Sequence, residues 1–196
     1  MNQYVLLAKQ TVENYLIERK IIAPPTNLPK EFLEKRAGVF VTIEKCASSA
    51  HPPMRRELRG CIGTYLPTKI NIAEEIINNA IAAATEDYRF EPIKKDDIPY
   101  LSYTIYVLSE PELIENINEL NPKKFGIIVK TAPFAFPNED PVFDGNVSSK
   151  TGLLLPDLEG INVPEEQFSI ACQKAGINPE KEEVFIYRFI AEKYEG

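Results

Sequence analysis

Histidine is almost absent from this sequence, which contains one copy, His51, and no tryptophan. Imidazole is the commonest metal ligand and the commonest general base in proteins. A single copy excludes metal centres built on several histidines, and it leaves a histidine-activated nucleophile with His51 as its one partner. We therefore predict no metal site in this chain.

Cysteine is also scarce, and its three copies, Cys46, Cys61 and Cys172, are far apart in the sequence. They form no CxxC pair, so neither a disulfide framework nor a zinc site is signalled. Cys172 follows Phe168 by four residues on the apolar stripe of a predicted helix, which indicates core packing.

Long apolar runs are missing as well, and none approaches the ~20 residues that a membrane span needs. The start Met-Asn-Gln-Tyr-Val has no charged region followed by a cleavage site. The net charge of −7 and the pI near 5.0 argue against non-specific nucleic-acid binding, which requires many Lys and Arg residues. We expect a cytoplasmic protein that binds neither membranes nor nucleic acid non-specifically.

The most informative stretch is the sequence Glu-Leu-Arg-Gly-Cys-Ile-Gly-Thr-Tyr, residues 57–65, which is predicted to be a strand. Side chains alternate across a strand, so Arg59, Cys61 and Tyr65 are expected to share one face. Glycine weakens a strand unless the strand bends or something approaches its backbone closely. The two glycines that flank the cysteine therefore indicate a site in which a thiol and a guanidinium lie side by side.

These glycines, Gly60 and Gly63, do not form a nucleotide-binding motif. The dinucleotide fingerprint is GxGxxG and the P-loop is GxxxxGKS/T, and each lies between a strand and the first turn of a helix. Here the spacing differs and no Lys-Ser/Thr pair follows. We therefore predict no cofactor.

The rest of the chain alternates helices with strands at irregular spacing. Apolar residues at three- and four-residue steps predict helices at 2–18, 71–86 and 163–176, and a helical turn at 31–36. Alternating patterns predict strands at 39–45, 57–65, 100–108, 124–130, 151–156 and 183–192. Without regular βαβ spacing, this order predicts an α+β fold, with a mainly antiparallel sheet flanked by helices.

The strands at 39–45 and 57–65 are predicted to be antiparallel neighbours, with Cys61 opposite Thr42. The loop at 46–56 is long enough to be a mobile flap. His51 would lie roughly 30 Å from Cys61 along the strands, so a Cys–His dyad requires this flap to fold back.

The hexapeptide Leu-Arg-Gly-Cys-Ile-Gly, residues 58–63, resembles the hallmark motif of the AMMECR family. Further segments resemble the family in the same order, at 39–42, 87–90, 125–128, 152–156 and 171–176. The resemblance implies one α+β domain over 1–196, in two unequal lobes with a cleft. The larger lobe would hold the N-terminal helix, helix 71–86 and the C-terminal strand, and the smaller would lie around 38–67 and 124–156.

Two positions depart from the family pattern. Tyr88 stands where the family usually has proline after the aspartate, and residues 132–150 form an insertion between two strands. Members of the AMMECR family also look like partners of radical SAM proteins and of Memo-type proteins, to which they are sometimes linked by fusion or by neighbourhood. That association implies a component of a modification pathway, and a homo-oligomer is also compatible with the resemblance.

Three interpretations of Cys61 stay open: a catalytic nucleophile activated by a neighbouring arginine, a residue lining a binding cleft, or a packed small side chain. Arg59, Asp87 and Arg89 form either an oxyanion-binding cluster or an internal ion pair that fixes the turn. The predicted ligand- or partner-binding residues are Arg59, Gly60, Cys61, Gly63, Tyr65, Asp87 and Arg89.

Two functions follow from these residues. The first is an enzyme or enzyme subunit that uses Cys61 and Arg59. The second is a non-catalytic adaptor that binds a ligand or partner in a cleft at the hexapeptide strand. One histidine and no paired catalytic carboxylates favour the adaptor.

Overall fold

The structure, a computed structural model that describes residues 2–46, 56–133 and 149–196, divides into two units. The first comprises Met1–Leu108 and Glu192–Gly196, and the second comprises Ser109–Ala191. The α+β fold predicted from the sequence is confirmed, with two four-stranded sheets. His51, nearly all of the predicted flap and most of the 132–150 insertion lie outside the described residues.

The first unit places helices against one sheet. Its helices are α1 (Gln3–Glu18), α2 (Lys30–Glu34) and α3 (Ile72–Thr85). Its strands are β1 (Val39–Cys46), β2 (Arg56–Gly63), β3 (Leu101–Leu108) and β8 (Ala191–Glu195). A short 3-10 helix, Lys95–Tyr100, precedes β3. The strand order is β2-β1-β3-β8, so β2 is an edge strand.

Capping side chains mark where the two long helices of this unit begin, at the positions where the apolar pattern predicts their first turns. Asn2 accepts a hydrogen bond from the N–H of Tyr4 (2.9 Å), and Asn71 accepts one from the N–H of Glu74 (2.9 Å). Each bond satisfies a backbone donor that the first turn of a helix leaves open. The apolar faces of α1 and α3 share one core with the inward residues of β1, Val39, Val41 and Ile43.

The hairpin register is the one predicted near Cys61, which lies opposite Thr42 in an antiparallel pair. The register shifts between Ile43 and Glu44, which leaves Arg59 as the extra residue of a β-bulge. A bulge bends its strand and redirects side chains, so simple alternation stops at this point.

The second unit contains the strands β4 (Glu112–Ile114), β5 (Gly126–Lys130), β6 (Thr151–Leu154) and β7 (Phe185–Phe189), with the helix α4 (Pro164–Ala175). The strand order is β4-β7-β5-β6. The helix has Pro164 in its first turn and ends at Gly176 in the left-handed conformation, within the predicted range 163–176. Cys172 is buried in the core, also as predicted. None of the four α-helices of the described ranges has the length and apolar character to cross a membrane.

The single strand predicted at 183–192 is wrong, because this segment forms two strands that belong to different sheets. The break falls at Ile190, whose N–H donates to the Ser109 hydroxyl (3.0 Å) and whose C=O accepts from the Ser109 N–H (2.9 Å). Both backbone hydrogen-bonding groups of Ile190 are thus bonded to Ser109, and β8 begins at the next residue.

The two units also differ from the lobes that the family resemblance implied. The segments 38–67 and 124–156 were expected in one lobe. In the structure β1 and β2 belong to the first unit, since they pack against α3, whereas β5 and β6 belong to the second.

Candidate functional site

Cys61 lies on the edge strand β2 with its side chain partly exposed. The Thr42 hydroxyl donates a hydrogen bond to its Sγ at 3.2 Å. Because Thr42 alternates with the buried Val41 and Ile43, the thiol lies on the sheet face opposite the helices. Tyr106 belongs to the same face. Burial raises the pKa of the Tyr106 phenol, and the Cys61 thiol adds a smaller contribution in the same direction.

The turn after α3 closes the outer edge of β2 at Cys61. The Asp87 carboxylate accepts a hydrogen bond from the Cys61 N–H at 2.9 Å. It also accepts from Arg89 Nε (2.9 Å) and Nη2 (2.6 Å), and Nη2 donates to the Cys61 C=O (3.4 Å). These two side chains therefore occupy the place of a neighbouring strand, which protects an otherwise open sheet edge.

The charges of this pair reinforce each other. Asp87 is buried, and hydrogen bonds from Arg89 and the Cys61 N–H outweigh desolvation and lower the pKa of its carboxyl to about 2. The Arg89 pKa is raised, chiefly by the hydrogen bond to Asp87. The pair stays ionised at neutral pH. Of the two interpretations of this cluster, the internal ion pair that fixes the turn therefore explains the role of Asp87.

This shift predicts a specific loss of stability in acid. The Asp87 pKa is about 2 in the folded state against an ordinary value of 3.8, which corresponds to about 2 kcal/mol of stability. The stabilisation is complete above pH ~4 and is lost as the pH falls through about 2, because only the ionised carboxylate accepts these bonds. Urea unfolding measured between pH 2 and pH 7 tests this prediction.

The matched variants are Asp87→Asn and Asp157→Asn. Asp157 pairs with Lys123 on the surface, where its side chain is 72% exposed. We expect Asp87→Asn to lose stability at neutral pH and to flatten the acid dependence, and Asp157→Asn to change neither. An unchanged pH profile in Asp87→Asn would contradict the assignment.

Arg59 does not point where strand alternation predicts, because it is the extra residue of the bulge. Its guanidinium donates to the Glu91 C=O (3.3 Å) and lies 4.0 Å from the Asp97 carboxylate. Asp97 accepts a hydrogen bond from Lys45, which is the main cause of its lowered pKa. The guanidinium bonded to the Cys61 backbone is that of Arg89, which corrects the predicted side-by-side placement of Arg59 and Cys61.

The two glycines of the hexapeptide have separate packing roles. A Cβ atom on Gly60 would collide with the carbonyl oxygen of Ala83, so α3 lies directly against this point of β2. A Cβ atom on Gly63 would meet the ring of Phe40. Tyr65 follows the strand and is half-buried. Close approach to the backbone, which the sequence predicted, therefore comes from α3 and Phe40.

Sequence reasoning missed Glu75, a buried carboxylate of α3. One oxygen accepts from the hydroxyls of Thr64 (2.7 Å) and Thr68 (2.8 Å), and the other from the N–H groups of Thr68 and Lys69 (both 2.7 Å). These bonds attach the segment after β2 to the helix. The signal in the sequence is a glutamate within the apolar stripe that predicts α3.

A recess of about 550 Å³ lies in the first unit, between α3 and the segment 21–24. None of the seven predicted site residues lines it. The structure thus brings Cys61, Asp87 and Arg89 together at β2, and this recess lies away from them, between α3 and the segment 21–24. Among residues 2–46, 56–133 and 149–196, no group of three His, Cys, Asp or Glu residues is arranged to hold a metal ion.

Comparison with known proteins agrees with this fold. A family model described as AMMECR1 matches residues 5–194. A Thermotoga maritima protein is 44% identical, over 97% of this chain and 96% of its own length. A Clostridium acetobutylicum protein is 38% identical over 97% of this chain but only 35% of its own, longer chain.

A solved structure has the same architecture. The crystal structure of an uncharacterized Pyrococcus horikoshii protein matches with a TM-score of 0.77 and 33% identity, over 98% of this chain and 89% of that one. Because the family model spans nearly the whole sequence and the relatives match along its length, the chain belongs to the AMMECR1 family.

Proposed function

We propose that this protein is a cytoplasmic binding component, an adaptor whose ligand- or partner-contacting surface is centred on Cys61 of β2 and the turn 87–89. The observation that carries the proposal is the fixed guanidinium of Arg89. Three free cysteines, Cys46, Cys61 and Cys172, fit the reducing compartment that the proposal assumes.

Arg89 is held in place and is still open to solvent. Asp87 binds Nε and Nη2, yet the Arg89 side chain is 47% exposed. Nη1 forms no hydrogen bond with the described residues. A guanidinium binds carboxylate and phosphate oxygens through its planar donors, and one that is already oriented loses little entropy on binding. This arrangement suits an oxyanion on a small ligand or on a partner protein.

The groups around Cys61 favour binding over catalysis. A general base works best when its pKa lies near the operating pH. The Asp87 carboxyl, with a pKa of about 2, is a poor proton acceptor at neutral pH. Tyr106 is a neutral phenol, since burial raises its pKa further above the ordinary value of 10.0. Neither group can take the proton of the Cys61 thiol efficiently.

In this proposal a partner binds through side chains and does not add a strand to β2. An added strand needs open N–H and C=O groups at a sheet edge. At Cys61 both groups are already bonded to Asp87 and Arg89. Contact would therefore be made by side chains of this face and this turn, including Tyr88, which is 95% exposed beside Arg89. Tyrosine and arginine are enriched among residues that dominate interface energies.

The proposed partners are the Memo-type and radical SAM proteins that the family resemblance implies. The Clostridium acetobutylicum relative supports this proposal, because the part that matches this chain makes up only 35% of it and the rest is a further polypeptide segment in the same chain. Joining two components in one chain raises their effective concentration, because their association becomes intramolecular instead of bimolecular.

The test is calorimetric titration of the purified protein with a Memo-type protein and a radical SAM protein from the same genome. We expect binding by at least one, and an affinity about tenfold weaker for Arg89→Lys, which keeps the charge but loses the planar fork. The matched control is Arg188→Lys, since Arg188 pairs with Glu112 in the second unit. Thermal unfolding of each variant checks that the fold is retained.

Two results would contradict the proposal. One is equal binding by wild type and Arg89→Lys. The other is a wild-type protein that binds neither candidate and whose melting temperature does not change with millimolar phosphate or carboxylates, since ligands that bind the folded state raise it.

One observation favours the alternative, an enzyme subunit in a modification pathway. The Thr42 hydroxyl at 3.2 Å from Cys61 Sγ would stabilise a thiolate, which is the nucleophilic form. Iodoacetamide labelling followed by peptide mass spectrometry separates Cys61 from the other thiols. Faster labelling of Cys61 in the native than in the unfolded protein would support the enzyme, as would a Cys61→Ser variant that binds its partner but loses turnover.

A further inference from the structure

We propose that the recess between α3 and the segment 21–24 is a second binding site, specific for a peptide with an apolar centre and a basic end. The site is formed within the first unit and shares no lining residue with the surface at β2. Its volume of about 550 Å³ lies within the range of ligand sites in proteins, ~300–1,000 Å³.

The floor of the recess is apolar. It is formed by Ile77 and Ile81, which share one side of α3 because they are four residues apart, together with the neighbouring Ala82. Ile21 forms part of the opposite wall and is 65% exposed. An apolar side chain placed between this wall and the floor would remove Ile21 from water, which is favourable in proportion to the apolar surface buried.

Ionised side chains lie at both ends of the floor. Glu74 and Glu86 line the recess and are separated by about 18 Å along the helix, at ~1.5 Å per residue. Lys69 lies at the end where α3 begins. None of these three side chains forms an ion pair with the residues that the structure describes.

The two ends differ in charge. Near Glu74 the positive charge of Lys69 and the positive end of the helix dipole offset the carboxylate. Near Glu86, the residue that caps the other end of α3, the carboxylate and the negative end of the dipole act together. A bound cation is therefore favoured at the Glu86 end, which assigns the basic end of the ligand.

The polar groups of the lining suit a peptide backbone. Tyr15 and Asn78 both line the recess. Neither the Tyr15 hydroxyl nor the Asn78 side-chain oxygen is hydrogen-bonded within the described ranges. A span of about 18 Å accommodates five or six extended residues at ~3.3 Å each. The occupant is thus a short segment with apolar residues over Ile77 and Ile81 and a Lys or Arg at Glu86.

The test uses the whole protein, labelled with ¹³C at isoleucine methyl groups and observed by NMR. The probes are a capped peptide of four leucines followed by two lysines, and its analogue ending in two glutamates. We expect the lysine peptide to shift the methyl signals of Ile21, Ile77 and Ile81. The signals of Ile127 and Ile128, which are buried in the second unit, should not move.

Charge variants identify the basic end. We expect Glu86→Gln to weaken the lysine peptide about fivefold, and Glu86→Lys to reverse the preference toward the glutamate peptide. Glu165→Gln, a change of the same kind in the first turn of α4, is the control and should have no effect. Ala82→Phe should fill the recess and abolish binding of both peptides.

Three outcomes would overturn the inference: no shift with millimolar lysine peptide, equal affinity for the two peptides, or an unchanged preference in Glu86→Lys. The last comparison does not depend on whether Ala82→Phe folds. These outcomes can be told apart from a failure of the surface at β2, because they are measured at residues of the recess, and none of the predicted site residues at β2 lines it.

Discussion

Replacing Gly60 with alanine should cost about 3–4 kcal/mol of folding free energy, at or above the upper end of the ~1–3 kcal/mol that is typical of overpacking substitutions. The added Cβ would overlap the carbonyl oxygen of Ala83. The Cβ is fixed by its bond to Cα and the oxygen belongs to the backbone, so no rotamer change relieves the overlap, and α3 must move away from β2. Such a shift would disturb packing along the helix, because interiors are close-packed.

Two other glycines provide controls for this variant. In Gly63→Ala the new atom meets the Phe40 ring, which can rotate, so we expect a cost of about 1–2 kcal/mol. In Gly160→Ala the space is open, but φ is +82°, so strain alone should cost about 1 kcal/mol. Urea unfolding of the three variants would measure these differences. Equal losses of stability for Gly60→Ala and Gly63→Ala would show that the contact between Gly60 and α3 does not determine the cost of the substitution.

Replacing Glu75 with leucine should cost about 3 kcal/mol, because it leaves four donors near α3 without their acceptor. Glutamine should be much milder, at about 1 kcal/mol. Its amide oxygen can accept from the N–H groups of Thr68 and Lys69. Its NH₂ group can face the Thr64 and Thr68 hydroxyls, which can turn to accept.

The difference between these two variants isolates the hydrogen bonds, since leucine and glutamine have similar volumes. The neighbouring residue supplies the control, because Glu74→Gln alters a carboxylate that accepts no hydrogen bond from the described residues. Equal losses for Glu75→Leu and Glu75→Gln would mean that the loss of charge, and not the unpaired donors, determines the cost. Urea unfolding again measures each free energy.

Much of the fold could be predicted because its signals are local. Asn2 and Asn71 cap helices whose apolar residues recur within a few positions, and both caps are present. The pairing of Thr42 with Cys61 followed from two alternating segments joined by a loop. Pro164 and Gly176 mark the two ends of α4 because of the conformational preferences of their own backbone.

The failures have long-range causes. The alternating pattern runs through Ile190 without a break, and only the pairing of β7 and β8 in different sheets divides it. A bulge adds one residue without a sequence signature, so alternation placed Arg59 beside Cys61. At the site, the bond between Asp87 and the Cys61 N–H joins residues 26 positions apart. The family resemblance grouped these residues, but it did not show that Asp87 binds the backbone of Cys61.

The placement of β8 affects the order in which the chain can fold. The second unit is one continuous segment, 109–191, and can collapse as soon as it leaves the ribosome. The sheet of the first unit needs β8 beside β3, and all of the second unit is synthesised between these strands. Closing that long loop costs chain entropy before the ring of Tyr194 can stack on Tyr4. During synthesis β3 therefore has an open edge until β8 arrives.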